Sequence, residues 1–116
     1  MWKRPKELQL QDVLARQLAM TSQTWEALKA HGVTEDTELR LDFAYRAPDR
    51  DSADVLALFL KDETDYEVQV EADTVTGSTQ GTTISPEILD QWVEWMVLAG
   101  YENGRCEFDG WGTAVP

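Results

Sequence analysis

Few side chains in this sequence could carry covalent or acid–base chemistry. His31 is the one histidine and Cys106 the one cysteine. General acid–base catalysis needs a histidine, or a carboxylate of shifted pKa, within a cleft. His31 stands instead beside Gly32 at the end of a helical pattern, where a capping or surface role suits the helix dipole. Cys106 has no histidine near it in sequence and opens an expected strand, so it reads as a small buried hydrophobe, not a nucleophile. No serine lies in a G-x-S-x-G elbow, and no glycine-rich loop would cradle a phosphate. One histidine and one cysteine do not make a zinc site of the usual composition, and no loop has the spacing of an EF-hand. The reading assigns no catalytic residue, no metal and no cofactor.

Acids and aromatics offer binding chemistry instead. Glu107 and Asp109 lie two apart on an expected strand, as do Glu67, Gln69, Glu71 and Asp73 on another, so each set shares a face. A solvated surface is the ordinary account of such a set; an acidic docking surface is the functional one. Trp92 and Trp95 are three apart on a helix and cannot both point fully inward with Ile88 and Met96. Trp92 reads as core. Trp95 and Trp111 are candidates for contact, because aromatics are enriched at binding hot spots, and Trp111 lies between Gly110 and Gly112, which permit close approach. The candidate protein-binding residues are therefore Glu67, Glu71, Trp95, Glu107, Asp109, Gly110 and Trp111.

The elements that hold these residues follow from apolar spacing. Leu14, Leu18, Trp25 and Leu28, with Leu10 and Met20, recur at helical intervals on one face, and Gly32 ends the pattern. Thr21-Ser22 leaves one long helix or two short ones open. Leu39, Leu41, Phe43 and Tyr45 alternate with polar residues as a strand. Pro48-Asp49 then opens a helix with Asp49 or Asp51 as cap and Ala53, Leu56, Ala57 and Leu60 as inner stripe, widened by Val55 and Phe59. A second strand runs through Tyr66, Val68, Val70 and Ala72, and the threonine-rich Thr74–Ile84 reads as a hairpin return. Ser85-Pro86-Glu87 starts the last helix, with Ile88, Leu89, Trp92, Val93, Met96 and Val97 on its apolar face. Asn103-Gly104 stops it, and Arg105 to Val115 forms a closing strand.

A helix followed by two β-α-β units predicts an α+β fold: a ferredoxin-like sandwich with an antiparallel four-stranded sheet and an extra N-terminal helix at an edge or beside the other helices. Residues 1–116 suit a single domain, with 1–7, Trp2 included, expected to be flexible. Twenty-two acids against ten bases give a net charge of −12, which disfavours direct binding of nucleic acid and favours a basic partner. No stretch has the length of a membrane span or a signal peptide. A lone thiol fits the reducing cytoplasm.

Ile88-Leu89-Asp90-Gln91-Trp92-Val93-Glu94, followed by Cys106-Glu107-Phe108-Asp109-Gly110-Trp111-Gly112-Thr113, resembles the terminal helix and signature of the regulator of ribonuclease E activity B (RraB) family. Its members carry an acidic-aromatic-Asp-Gly-Trp motif just after a helix. Trp25-Glu26-Ala27-Leu28 with Gly32, the Phe43 strand with Pro48-Asp49-Arg50, and Tyr66-Glu67-Val68 are similar at the level of pattern, so the likeness spans about residues 22 to 115. The best-known members carry a long acidic tail after the motif, and none is expected here, where the sequence runs to Pro116. The resemblance implies a ferredoxin-like fold and a non-enzymatic inhibitor that binds the non-catalytic region of ribonuclease E and restrains RNA turnover. An immunity or antitoxin protein that neutralises a basic toxin nuclease is the alternative, and a small enzyme or ligand-binding domain a third; the sequence specifies no oligomeric state.

Overall fold

The computed structural model describes residues 6–114; Trp2 and Val115 lie outside them. Helix α1 (Lys6–Ala30) is one unbroken helix of 25 residues. Thr21 does not break it, because its hydroxyl accepts a bond from another element. His31 caps the end through its Nδ1, 2.9 Å from the Ala27 carbonyl, and Gly32 follows with φ +90°, the left-handed conformation that glycine adopts freely.

The expected strand from Leu39 to Tyr45 is two pieces, β1 (Glu38–Leu39) and β2 (Asp42–Arg46). The break lies at Leu41, which exchanges bonds with Thr79: its carbonyl accepts from the Thr79 N–H at 2.9 Å and its own N–H donates to Thr79 Oγ1 at 3.0 Å. Helix α2 (Arg50–Glu63) is capped by Asp49, whose carboxylate accepts from the Ser52 N–H at 2.8 Å. Ala53, Leu56, Ala57 and Leu60 are its buried stripe, as expected, and Phe59 packs at the margin. Val55 does not widen that stripe: it is exposed. Strand β3 (Glu67–Glu71) and strand β4 (Thr74–Ser78) form a hairpin, with Ala72 at φ 55° in the turn and not in the strand. β5 (Thr82–Thr83) follows. Helix α3 (Pro86–Glu102) has Ser85 as N-cap and Asn103 as C-cap. β6 (Glu107–Gly112) is the last described strand and starts two residues later than expected because Arg105 is in the left-handed region; the expected end at Val115 lies outside the described residues.

The main sheet has four antiparallel strands in the order β3-β4-β2-β6, and β1 pairs with β5 in a separate two-stranded ribbon. This is an α+β architecture. One sheet face packs on the helices. Phe43, Tyr45, Val68, Val75 and Phe108 meet Leu56, Leu60, Val93, Met96 and Val97 in the main core. Tyr45 is fully buried, and its hydroxyl donates to the Met96 carbonyl of α3 at 2.7 Å. A second core gathers Trp25, Leu28, Leu39, Leu41, Ile84 and Leu89 beneath the end of α1. Trp92 and Trp111 pack against both. α1 lies beside α3 and against β6. Met20 and Ile88 leave the faces expected for them and are exposed.

Candidate protein-binding surface

The pairing register assigns the other sheet face. Glu67, Ser78, Asp42 and Gly112 lie opposite one another across the four strands. Gln69, Thr76, Ala44 and Gly110 form the next row, and Glu71, Thr74, Arg46 and Glu107 the third. Cross-strand partners point to the same side, and the side of these rows is the one opposite the core that the sheet forms with α2 and α3. Asp42, Glu67, Glu71 and Glu107 are exposed on it, with Arg46 in the third row and the Arg40 guanidinium reaching Glu67 as its basic groups. Glu67 pairs with Arg40 at 2.8 Å, and Asp42 accepts a bond from the Ser78 hydroxyl. From Glu71 to Glu107 the face is three strand spacings wide, about 14 Å.

At β6 the geometry departs from simple alternation. The register shifts between Ala44 and Tyr45, so Tyr45 faces Phe108 while Ala44 faces Gly110, and Asp109 is the additional residue of a bulge. Gly110 takes φ +134° there, a conformation that bulges assign to glycine. Strict alternation from Phe108 would have put Trp111 on the open face beside Asp109. The bulge instead pairs Trp111 with Phe43 and turns it toward the helices. Its ring stands edge-on to Trp92 with centroids 6.2 Å apart, and its indole N–H donates to Thr21 Oγ1 at 2.9 Å. Trp111 is thus half-buried, a tie between β6, α1 and α3, while Asp109 stays exposed at the rim.

Compared with known proteins, the chain matches no family model and no curated protein.

Of the seven residues singled out from sequence, the structure brings Glu67, Glu71 and Glu107 to one face and sets Asp109 and Gly110 at its β6 edge. Trp95 belongs elsewhere: it lies on the helical layer, its ring stacked on Phe59 of α2 with centroids 6.1 Å apart. Two residues that the sequence reading missed position the β6 rim. Gln17 and Thr21, both buried and four apart on α1, serve the Phe108 carbonyl (3.2 Å, from Gln17 Nε2) and the Trp111 indole. Their signal was available: two polar residues one turn apart within an apolar stripe. Between α1 and this rim runs an open groove of about 360 Å³ floored by Gly110 and Gly112 and flanked by Gln17, Met20 and Asp109.

The reactive groups stand apart from this surface. Cys106 is buried, and burial with the nearby Asp49 carboxylate pushes its thiol up to about 11. Tyr66 is raised mainly by burial, and its hydroxyl accepts the Trp92 indole N–H at 2.9 Å. Among the described residues no three His, Cys, Asp or Glu side chains gather as metal ligands do, and no helix is long and apolar enough to cross a membrane.

Proposed function

We propose that this protein is a non-enzymatic regulator that binds a basic segment of another protein on the open face of its sheet. The observation that carries the reading is the excess of carboxylates there, Asp42, Glu67, Glu71 and Glu107 with Asp109 at the rim, on the face turned away from α2 and α3 and bordered by α1 at its β6 edge. Such a face raises the local concentration of a cationic chain and steers its approach. The β-α-β-β-α-β order with strands arranged β3-β4-β2-β6 supports a ferredoxin-like assignment, a fold that hosts many functions and so does not choose among them. The Asp109-Gly110-Trp111 likeness to the RraB family directs the choice of partner to the non-catalytic region of ribonuclease E, in the cytoplasm, with restraint of RNA turnover as the consequence.

The test is direct binding of that purified region to the immobilised protein, from about 50 mM to about 500 mM NaCl. Binding that weakens steadily with salt is expected. A Glu67→Gln/Glu71→Gln/Glu107→Gln variant, altered only at exposed positions, is expected to lose about tenfold in affinity and much of the salt dependence. Absence of binding at the lowest salt would remove ribonuclease E as the target. A variant that binds like the parent would remove the sheet face as the site.

A further inference from the structure

The helical layer carries a second surface with a different chemistry. α2 and α3 lie next to each other over the sheet and run in opposite directions. The start of α2 abuts the end of α3, since a Cβ on Gly104 would meet the Ser52 carbonyl oxygen at 2.8 Å, and two turns along α2 Phe59 stacks on Trp95. Val55 falls between these two points on α2 and Leu98 between them on α3. On the outer side of the Phe59–Trp95 stack, Val55 and Leu98 thus belong to an apolar strip that runs along the seam of the two helices as a shallow trough. Val55 is 53% exposed, Trp95 40% and Leu98 37%. Ile88 extends the ridge two turns along α3, because residues seven apart share a face; from Ile88 to Leu98 is about 15 Å of helix. Leu58 adds a further exposed side chain beside Val55. Lone exposed hydrophobics need no explanation, whereas a contiguous apolar patch rimmed by polar groups marks an interaction site.

The rim identifies the occupant. α2 carries Asp51, Asp54, Asp62 and Glu63 against Arg50 and Lys61, and Arg50 is held by Asp54 at 3.1 Å. α3 carries Glu87, Asp90, Glu94 and Glu102 and no base. A trough between two helices accepts the ridge of a third, and apolar anchors at i, i+3, i+4 and i+7 are what such a groove reads. We infer that the α2–α3 trough binds an amphipathic helix of a partner protein that presents apolar anchors along one face and Lys or Arg along its flanks. A second copy of this chain is the poorer occupant, because it would bring a like acidic rim against this one, at a net charge of −12 per copy. The trough lies on the opposite side of the sheet from the carboxylate face, so the two proposals stand or fall separately.

The probe is a synthetic amphipathic peptide of about eighteen residues, built of leucine and lysine at helical spacing. Its control has the same composition with leucine and lysine alternating. Calorimetry at physiological salt is expected to give one helical peptide per protein, with the control about tenfold weaker. Val55→Ser/Leu98→Ser is expected to weaken the helical peptide about tenfold, as loss of central apolar anchors does. Val55 is more than half exposed but Leu98 only 37%, so a fall of several degrees in thermal midpoint is expected, and binding is compared at a temperature where the variant remains folded. Glu67→Gln/Glu71→Gln/Glu107→Gln should leave peptide affinity within about twofold, since those residues face away. Equal binding of the two peptides would reduce the effect to charge, and an unchanged Val55→Ser/Leu98→Ser variant would remove the trough. Either result overturns the inference. So would sedimentation of the parent as a dimer that the same double variant dissociates, since a second copy would then fill the trough.

Discussion

Burial of the Cys106 thiol links one side chain to the stability of the whole. Its sulfur lies 3.6 Å from the Ser52 carbonyl oxygen and 3.7 Å from that of Asn103, both acceptors for the neutral S–H, and its pKa rises from about 9 to about 11. Below pH 9 the thiol is protonated in the folded and unfolded chains alike, and this contribution is fully present. Between about 9 and 11 the unfolded chain releases the proton while the folded one retains it, so stability falls as pH rises. Tyr45, raised by burial above the usual 10, adds a loss of the same sign at higher pH. The urea midpoint should therefore be level from about pH 7 to 8.5 and decline from 9 to 11, and Cys106→Ala should flatten the first part of the decline. A level parent midpoint through pH 11 would contradict the assignment. A second prediction concerns Trp111. Trp111→Phe retains the ring against Trp92 but leaves the buried Thr21 hydroxyl without its donor, a loss of about 1 kcal/mol. Thr21→Val on that background should cost little more, and denaturant titration of both single variants and the double reads the coupling.

At the scale of elements, steric fit decides what propensity alone would decide wrongly. Gly100 lies inside α3, where alanine is normally preferred by about 1 kcal/mol. A Cβ there would stand 2.5 Å from Tyr45 Cε2 and 2.8 Å from the Cys106 carbonyl oxygen, and neither has room to move, because Tyr45 is buried and bonded to Met96. Gly100→Ala should thus destabilise by about 1–3 kcal/mol, a fall in thermal midpoint of several degrees. A gain in midpoint would show that α3 slides away from Tyr45. The helices and their caps at Asp49, Ser85 and Asn103 were legible because side-chain spacing and capping chemistry are local. The split of Leu39–Tyr45 was not, since the partner that bends the chain at Leu41 is Thr79, far along the sequence. The acids of the sheet face were legible from alternation along β3. The tie of Trp111 to α1 and α3 was not legible, because one bulged residue reverses every later side chain, and Gly110 between Asp109 and Trp111 was the sole local sign of it. The exposure of Val55 and Ile88 was not legible for a related reason: their spacing fits a wide inner face, and only the packing of α2 and α3 separates a broad core stripe from an exposed ridge.

For the molecule as a whole, charge acts on folding and on binding with opposite signs. A net charge of −12 on 116 residues means that compaction crowds carboxylates, and self-repulsion of this kind opposes the folded state. Among the described residues the ion pairs Lys29–Glu26, Arg40–Glu67 and Arg50–Asp54 are exposed and each contributes under about 1 kcal/mol, so their loss in salt is small against relief of the repulsion. Between about 10 mM and 300 mM NaCl the Debye length shrinks from about 30 Å to under 8 Å, and the thermal midpoint should rise over this range. Capture of a basic partner on the carboxylate face should weaken over the same range, because the attraction being screened there is the one that holds the complex. The diverging trends separate an electrostatic binding surface from mere instability at high salt. Parallel decline of midpoint and affinity would mean that the acids are engaged in holding the fold together, and that the sheet face is not a docking surface in its own right.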